Sequence, residues 1–412
     1  MTRNPFIRAA SLWLAASIVP GAVASDTRPT SPVDGFIYGT VEMRSGESHT
    51  GVLRWDDEEA FWDDLFQSAK RELPYMEYAE TAPEEDSTWW ERFGRTIGRE
   101  FGIERQVRVL AVRFGDLAAV RPTGADDAVL VLRDGAEVEV SGYANDVGTT
   151  VTVIDAKPGR IQVRWKEIAE VRFSATPPDV DPGSVRLHGT VTTADRELAG
   201  FIQWDSQECL STDRLDGDSG GERISVDMGD IRSIERRDRR SARVVLKNGE
   251  ERVMSGTNDV DDDIRGIHVE DPRFGRVEVP WSEFVRVVFD DAAGSGRGYA
   301  DYSAPHRLAG TVIRRNGDRS SGRLVFDLDE EWSWEMLDGS SSGLDVTVPF
   351  SSVAAIEPQG SSGSVVELRT GATLELEDSH DVGPDNDGLL VITDGGEPTF
   401  VRWADVRRVE FR

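Results

Sequence analysis

The chain has 412 residues, with 76 acidic against 47 basic side chains, a formal net charge of −29 and one cysteine. That balance excludes nucleic acid as a partner class, because its binding needs clustered Lys and Arg to displace counterions, and it disfavours anionic membrane surfaces for the same reason. A lone cysteine, Cys209, leaves no intrachain disulfide, so stability has to come from packed cores; a buried filler is its expected role.

At the N-terminus Arg3 and Arg8 precede an apolar run from Ala9 to Val19, followed by Pro20 and Ala22-Val23-Ala24. This is the pattern of a cleavable signal peptide over residues 1–24, cut near Ala24, and it implies a secreted or periplasmic protein. The run is too short to span a bilayer and no later segment is long and uncharged enough, so no transmembrane span is expected. Residues 25–35 read as a disordered linker.

From residue 36 onward a repeat sets the architecture. A large apolar residue, an aliphatic or aromatic residue three positions on, and Val or Ile three further recur six times: Phe114/Leu117/Val120, Trp165/Ile168/Val171, Met228/Ile231/Ile234, Trp281/Phe284/Val287, Phe350/Val353/Ile356 and Trp403/Val406/Val409. The residue before the middle one is Asp, Glu or Ser, so each cassette predicts a strand, one helical turn and another strand. Spacings of 51, 53 and 53 alternate with 63 and 69, which sorts the six into three pairs. Each pair opens with Gly-Thr-Val (Gly39, Gly189, Gly310) and a hairpin ending Trp55-Asp56, Trp204-Asp205 or Phe326-Asp327. Its second member opens with a hairpin at Asp134-Gly135, Asn248-Gly249 or Thr370-Gly371, turns that tolerate positive φ. Residues 174–184 and 290–306, rich in Pro, Gly, Ser and Ala, read as linkers between three double β modules at 36–173, 185–289 and 307–412.

The expected fold class is all-β. The order of hairpin, strand, helical turn and short strand resembles the small five-stranded barrels of the SH3-like and Sm-like type, which implies tandem small barrels in three pairs. Such barrels serve many functions, so the resemblance implies none. A single six-bladed propeller is the competing architecture, and uneven spacing argues against it.

The first pair differs in one place. From the Asp after the aromatic residue to the cassette is 58 positions there and 23 in the other two, so about 35 residues have been added. Placed at 58–103, they are expected to form an α-helical hairpin. Glu58–Glu72 sets Phe61, Trp62, Leu65 and Phe66 on one side, and Thr88 and Glu91 make a capping box for a second helix carrying Trp90, Phe93, Ile97 and Phe101. Such an aromatic face packs on its own module or docks a protein. Trp62, Trp89, Trp90, Phe93 and Phe101 are the candidate anchors for a protein partner in the cell envelope.

Motifs that carry chemistry are few. Gly217-Asp218-Ser219-Gly220-Gly221 matches the nucleophile segment of trypsin-like proteases and Gly339-Ser340-Ser341-Ser342-Gly343 the nucleophile elbow of α/β-hydrolases, but both fall on the same Gly/Ser turn of the repeat. Neither has its family's histidine context or strand-turn-helix setting. Asp259, Asp261, Asp263 and Glu270 have calcium-loop spacing, yet Ile264 stands where the sharp bend needs Gly, so weak calcium binding is the most this loop suggests. Its counterparts begin Asn145-Asp146-Val147 and His380-Asp381-Val382, the latter followed by Asp385 and Asp387. Five scattered histidines and one thiol make no zinc site, and no Gly-rich phosphate loop opens a helix. Recurring tryptophans at positions 55, 165, 204, 281 and 403 fit core roles better than sugar platforms. The sequence therefore points to a non-enzymatic extracytoplasmic binding or scaffold protein, without catalytic residue or cofactor, contacting its partner through the helical insertion. The alternatives are a secreted serine hydrolase using Ser219 and a calcium-stabilised surface protein.

Overall fold

A computed structural model describes residues 32–80, 108–142, 146–155, 159–291, 294–360, 362–393 and 395–412. Just over half of the chain is in strands, and among the described residues all ladders are antiparallel and no helix reaches seven residues. The first run comprises β1 (Tyr38–Met43), β2 (Ser48–Trp55), β3 (Leu65–Lys70), β4 (Val109–Arg113), β5 (Leu117–Pro122), β6 (Asp127–Leu132), β7 (Glu137–Ser141), β8 (Thr150–Asp155), β9 (Gly159–Arg164) and β10 (Ile168–Phe173), with one turn of helix, α1 (Glu77–Glu80). The second comprises β11 (His188–Thr193), β12 (Glu197–Trp204), β13 (Arg214–Ser219), β14 (Glu222–Asp227), β15 (Ile231–Asp238), β16 (Ser241–Leu246), β17 (Glu251–Ser255), β18 (Ile267–Asp271), β19 (Gly275–Val279) and β20 (Phe284–Asp290). The third comprises β21 (Ala309–Arg314), β22 (Arg319–Phe326), β23 (Met336–Ser341), β24 (Leu344–Pro349), β25 (Val353–Gln359), β26 (Gly363–Leu368), β27 (Thr373–Glu377), β28 (Leu389–Ile392), β29 (Thr399–Val401) and β30 (Val406–Phe411).

Each ten-strand run has the same pairing, and it interleaves the two halves of the repeat. In the first, the order is β4-β3-β7-β6-β5-β10-β1-β2-β8-β9. The opening hairpin β1–β2 pairs with β8 of the second half, and β6–β7 pairs with β3 of the first. The halves meet where β5 crosses to β10, with Val120 opposite Val171; the later runs repeat this with Ile234 opposite Val287 and Ile356 opposite Val409. These are the last residues of the six cassettes. The repeat is thus written by a central ladder that buries one apolar pair per run. Five of the cassettes make a 3-10 turn at their first residue, and Trp281 opens an ordinary turn. In the Gly-Thr-Val strands a Cβ on Gly39, Gly189 or Gly310 would stand 2.2–2.4 Å from the carbonyl oxygen of Arg172, Val288 or Glu410, so only glycine lets the first strand approach the last.

The five-strand groups, β4-β3-β7-β6-β5 and β10-β1-β2-β8-β9 in the first run, stay open, and among the described residues no closed barrel forms; this corrects the barrel expectation. Two of the outer strands find a partner elsewhere: β19 pairs with β24, Val277 opposite Val346, joining the second and third runs into one twenty-stranded sheet with a shared apolar core. The first sheet has its own core.

The helical hairpin is not seen. Glu58–Glu72 is not a helix: Phe61 bridges Phe36, and β3 begins at Leu65 and pairs with both β4 and β7. Phe61, Trp62, Leu65 and Phe66 do recur at helical spacing, but long-range strand pairing overrides that local signal. Residues 58–70 are ordinary repeat sequence, matching 207–219 and 329–341. The extra residues instead lie between β3 and β4, where β13 and β14 are joined by Gly220-Gly221 alone. Most of them, including Thr88, Trp89, Trp90, Phe93 and Phe101, lie outside the described residues, as do residues 1–31 with the expected signal peptide. Among the described residues no helix is long and apolar enough to cross a membrane.

Candidate functional site: a buried carboxylate cluster

The same tight turn follows the second strand of every run. Two consecutive left-handed residues, Asp56-Asp57, Asp205-Ser206 and Asp327-Leu328 (φ between 47 and 60°), reverse the chain. The backbones of Trp55 and Glu59, Trp204 and Glu208, and Phe326 and Glu330 then exchange reciprocal hydrogen bonds of 2.7–3.0 Å. Five residues beyond that Glu, a second carboxylate accepts two backbone N–H groups: Asp64 from Ala60 and Phe61, Asp213 from Cys209 and Leu210, Glu335 from Glu331 and Trp332. A third, from the other half of the repeat, accepts one: Asp146 from Gln67, Asp259 from Asp216, Asp381 from Asp338. Short polar side chains hold donors that the irregular backbone would otherwise leave unpaired.

Cations for the second carboxylate come from another run. Arg54 of the first run forks onto Asp213 of the second at 2.6 and 3.0 Å. Arg186 and Arg276 of the second approach Asp64 of the first at 3.9 and 3.8 Å, and Arg186 also pairs with Asp63. Lys70 of the first run, its side chain 9% exposed, reaches Glu335 of the third at 2.6 Å and Asp329 at 3.2 Å. Burial opposes the charge on Lys70, but Asp329, Glu335 and Glu330 outweigh it and its pKa rises.

The third run carries the densest cluster, lining a cavity of about 570 Å³ between it and β3–β4. Seven carboxyls gather there, Asp327, Asp329, Glu330, Glu335, Asp338, Asp381 and Asp387, against Lys70 and Arg108. Arg108 donates to Asp327 at 3.0 Å and to Asp387. His380 Nδ1 lies 2.5 Å from Asp327 and 2.8 Å from Arg108, and burial together with Arg108 pushes its pKa down to about 4, so the ring is neutral. Burial holds Asp327, Glu330 and Asp381 well above the usual carboxylate range; Lys70 and Arg108 outweigh burial at Asp329 and pull it down. Asp329 Oδ1 and Glu330 Oε2 accept from no N–H or hydroxyl, and the two neighbouring carboxyls hydrogen-bond each other. Two triads, Asp327/Glu330/Asp381 and Asp327/His380/Asp387, each set their ligand atoms within 4.8 Å of one another. An all-oxygen triad at that spacing suits a hard divalent cation.

The other sequence candidates fall elsewhere. Trp62 is fully buried, its ring 4.5 Å from that of Tyr299, and is withdrawn from the set of partner anchors. Trp89, Trp90, Phe93 and Phe101 lie outside the described residues. Ser219 ends β13 before the left-handed Gly220 and Gly221, and Ser341-Ser342-Gly343 makes the matching turn between β23 and β24. A serine does meet a histidine at Ser206 Oγ and His268 Nε2, 2.9 Å apart, but the acid behind it, Glu278, stands 3.9 Å away and its carboxylate is 40% exposed. The acids of the 259–270 loop serve the protein: Asp259 caps β13, Asp261 caps Asp263, and Glu270 pairs with Arg276. Cys209 is buried against Phe61 and Leu210 between the first two runs. Tryptophans 55, 165, 204, 281 and 403 are all core residues.

Of this cluster, Asp327, His380, Asp381 and Asp387 stand out in the sequence, whereas Glu330, Asp329, Glu335, Lys70 and Arg108 do not. Aligning the Glu four residues after each aromatic would have exposed the first. Comparison with known proteins finds no matching family model, curated protein or solved structure.

Proposed function

We propose that this is a non-enzymatic extracytoplasmic scaffold protein, a frame of three double β modules that presents the segment between β3 and β4 to a partner protein. One observation carries the reading: the cap carboxylates of all three runs, Asp64, Asp213 and Glu335, hold local backbone and receive their cation from a neighbouring run. Buried charge in this molecule joins modules together. Trp89, Trp90, Phe93 and Phe101 on the added segment are the residues we assign to the partner. Replacing Trp90 and Phe93 by Ala should remove a specific crosslinked species from envelope extracts while near-UV circular dichroism and melting temperature stay as in the wild type. Unchanged crosslinking would sink the assignment.

A cation-stabilised variant of this reading is favoured by the buried triad of Asp327, Glu330 and Asp381, whose ligand oxygens lie within 4.8 Å of one another. Calcium at a hundredfold its Kd should add about 2.7 kcal/mol to stability. Glu330→Gln should abolish that gain and Asp259→Asn should keep it; no gain in the wild type, or a gain retained by Glu330→Gln, disproves the site. Hydrolysis by Ser219 remains the reading from another class, and it requires an activity that Ser219→Ala eliminates.

A further inference from the structure

The ladder between β19 and β24 shows how one ten-strand run adds to the next. It joins Arg276 to Thr347, Val277 to Val346 and Glu278 to Asp345. By the repeat, β9 of the first run is the counterpart of β19, since Gly159 and Gly275 both face the end of the preceding strand, at Asp155 and Asp271. Likewise β14 of the second run is the counterpart of β24, since Val226 and Val348 lie opposite Leu215 and Leu337. Among the described residues β9 pairs only with β8, and β14 only with β13, so each leaves an outer edge of backbone donors and acceptors.

The side chains on these edges match the paired ones in type and differ in burial. Val277, Val346 and Val348 are buried, whereas Ile161, Ile224 and Val226, at the same repeat positions, pack against the cores and are only partly buried. An apolar residue kept at a position that is fully covered in one copy of the repeat and only partly covered in another points to a second cover of the same shape.

We propose that the outer edge of β14 in one molecule pairs antiparallel with the outer edge of β9 in a second copy of this chain, in the register of the β19–β24 ladder. That register sets Ile161 opposite Ile224, Arg160 opposite Ser225 and Gln162 opposite Arg223, with Asp227 diagonal to Arg160. It improves on the intramolecular ladder at one place. There Glu278 faces Asp345, and burial together with that like charge raises the Glu278 pKa; the intermolecular ladder puts Gln162 against Arg223 instead. Both edges belong to every molecule and they differ, so the contact is heterologous and builds a ring or an open run of copies. This step is independent of the partner assigned to the segment between β3 and β4.

The test uses engineered cysteines, since Cys209 is buried and the background is silent. Directly opposed residues on paired antiparallel strands have Cα atoms about 4.5–5.5 Å apart, within the span a disulfide bridges. A mixture of full-length Ile161→Cys and Ile224→Cys proteins, oxidised at physiological salt, should give a covalent heterodimer in several-fold excess over a control mixture of Val185→Cys with Ile224→Cys. Wild-type mass by light scattering should rise with concentration, and Ile224→Lys should hold it at the monomer with an unchanged melting temperature. A monomer at every concentration overturns the proposal. So does preferential self-crosslinking of Ile161→Cys, which would mean a symmetric contact, or a heterodimer yield equal to the control.

Discussion

Asp205 and Asp327 occupy the same left-handed position of the repeat, and the protein satisfies them in opposite ways. Asp205 is answered inside its own run: Asn258 donates to it, the Arg265 backbone N–H bonds it at 2.6 Å and the Arg265 guanidinium at 2.7 Å. At Asp327 the backbone donor is the counterpart residue Asp387, at 2.5 Å, so an acid stands where the second run has a base, and the guanidinium comes from Arg108 of the first run. Exchanging Arg for Asp at that position turns a self-sufficient turn into one that needs a neighbouring module. At this left-handed turn the third run therefore depends on the interface where the second does not, and breaking the cation at Asp327 should cost more than breaking the one at Asp205.

Removing Lys70 should have the largest effect. Lys70→Met keeps the aliphatic volume but leaves Glu335, Asp329 and Glu330 without their nearest cation in a site where water is scarce, and unpairing a buried charge costs about 3–5 kcal/mol. Urea unfolding should show the whole loss, and a first, separate transition of the third run would strengthen the comparison. A loss below 1 kcal/mol would mean that the cluster protonates freely. Arg108→Ala should follow at about 2–3 kcal/mol, the range for losing hydrogen bonds to charged groups. Adding Asp387→Arg to Arg108→Ala recreates the arrangement of the second run and should restore most of that loss in a double-mutant cycle; additive effects of the two changes would refute the swap.

The next effect is one of pH. Burial, with Asp259 and Asp205 nearby, pushes Glu208 up to about 9, against 4.5 unperturbed, so it is protonated in the folded protein across the neutral range. A folded pKa above the unfolded one contributes stability that is fully present below about pH 4.5 and is lost as pH rises toward 9. Asp146, raised to about 7, and Asp259, raised to about 6, add to that trend at lower pH. Glu208→Gln keeps the neutral form, so the variant should exceed the wild type by on the order of 4 kcal/mol at pH 8 and by less than about 1 kcal/mol at pH 5. Equal pH profiles would show Glu208 ionised in the fold.

Much of this frame is legible in the sequence. The cassettes, hairpin turns and Gly-Thr-Val strands all answer to local rules, a period of two, turn residues that accept positive φ, and a glycine at a close approach. Their outcome is an all-β antiparallel protein. Two things escape such rules. Pairing partners are a global property: nothing local distinguishes a β2 that returns to β3 from one that continues to β8. The helix placed at Glu58–Glu72 failed for a related reason, since Phe61 buries its ring in one core and Trp62 and Phe66 bury theirs in another although their spacing is helical. Of the acidic site, the residues one repeat apart could be aligned, whereas Lys70 and Arg108 arrive from another run and carry no mark of their destination. Phe326 shows a finer case. Trp55 and Trp204 each donate an indole N–H to the carbonyl of Asp146 or Asp259, but Phe326 has none, and Asn386 supplies the bond to Asp381 instead. The loss is visible in the sequence; the replacement is not.

The smallest expected effect is the sharpest check of the comparison. Arg265→Ala removes a guanidinium that is 40% exposed, and its partner Asp205 keeps the Asn258 amide and the backbone N–H of residue 265. Solvent screens such a pair, and exposed ion pairs are worth about 0.2–1 kcal/mol. Arg265 also lies 3.7 Å from Glu58 of the first run, so part of even that small loss belongs to the interface. The decisive quantity is the ratio to Arg108→Ala, measured in one buffer by urea midpoint. A ratio well below one means that the turn at Asp327 has handed its charge balance to a neighbouring run while the turn at Asp205 has kept its own. Equal losses would place both turns under the same interfacial control and remove the asymmetry on which the Asp387→Arg rescue depends.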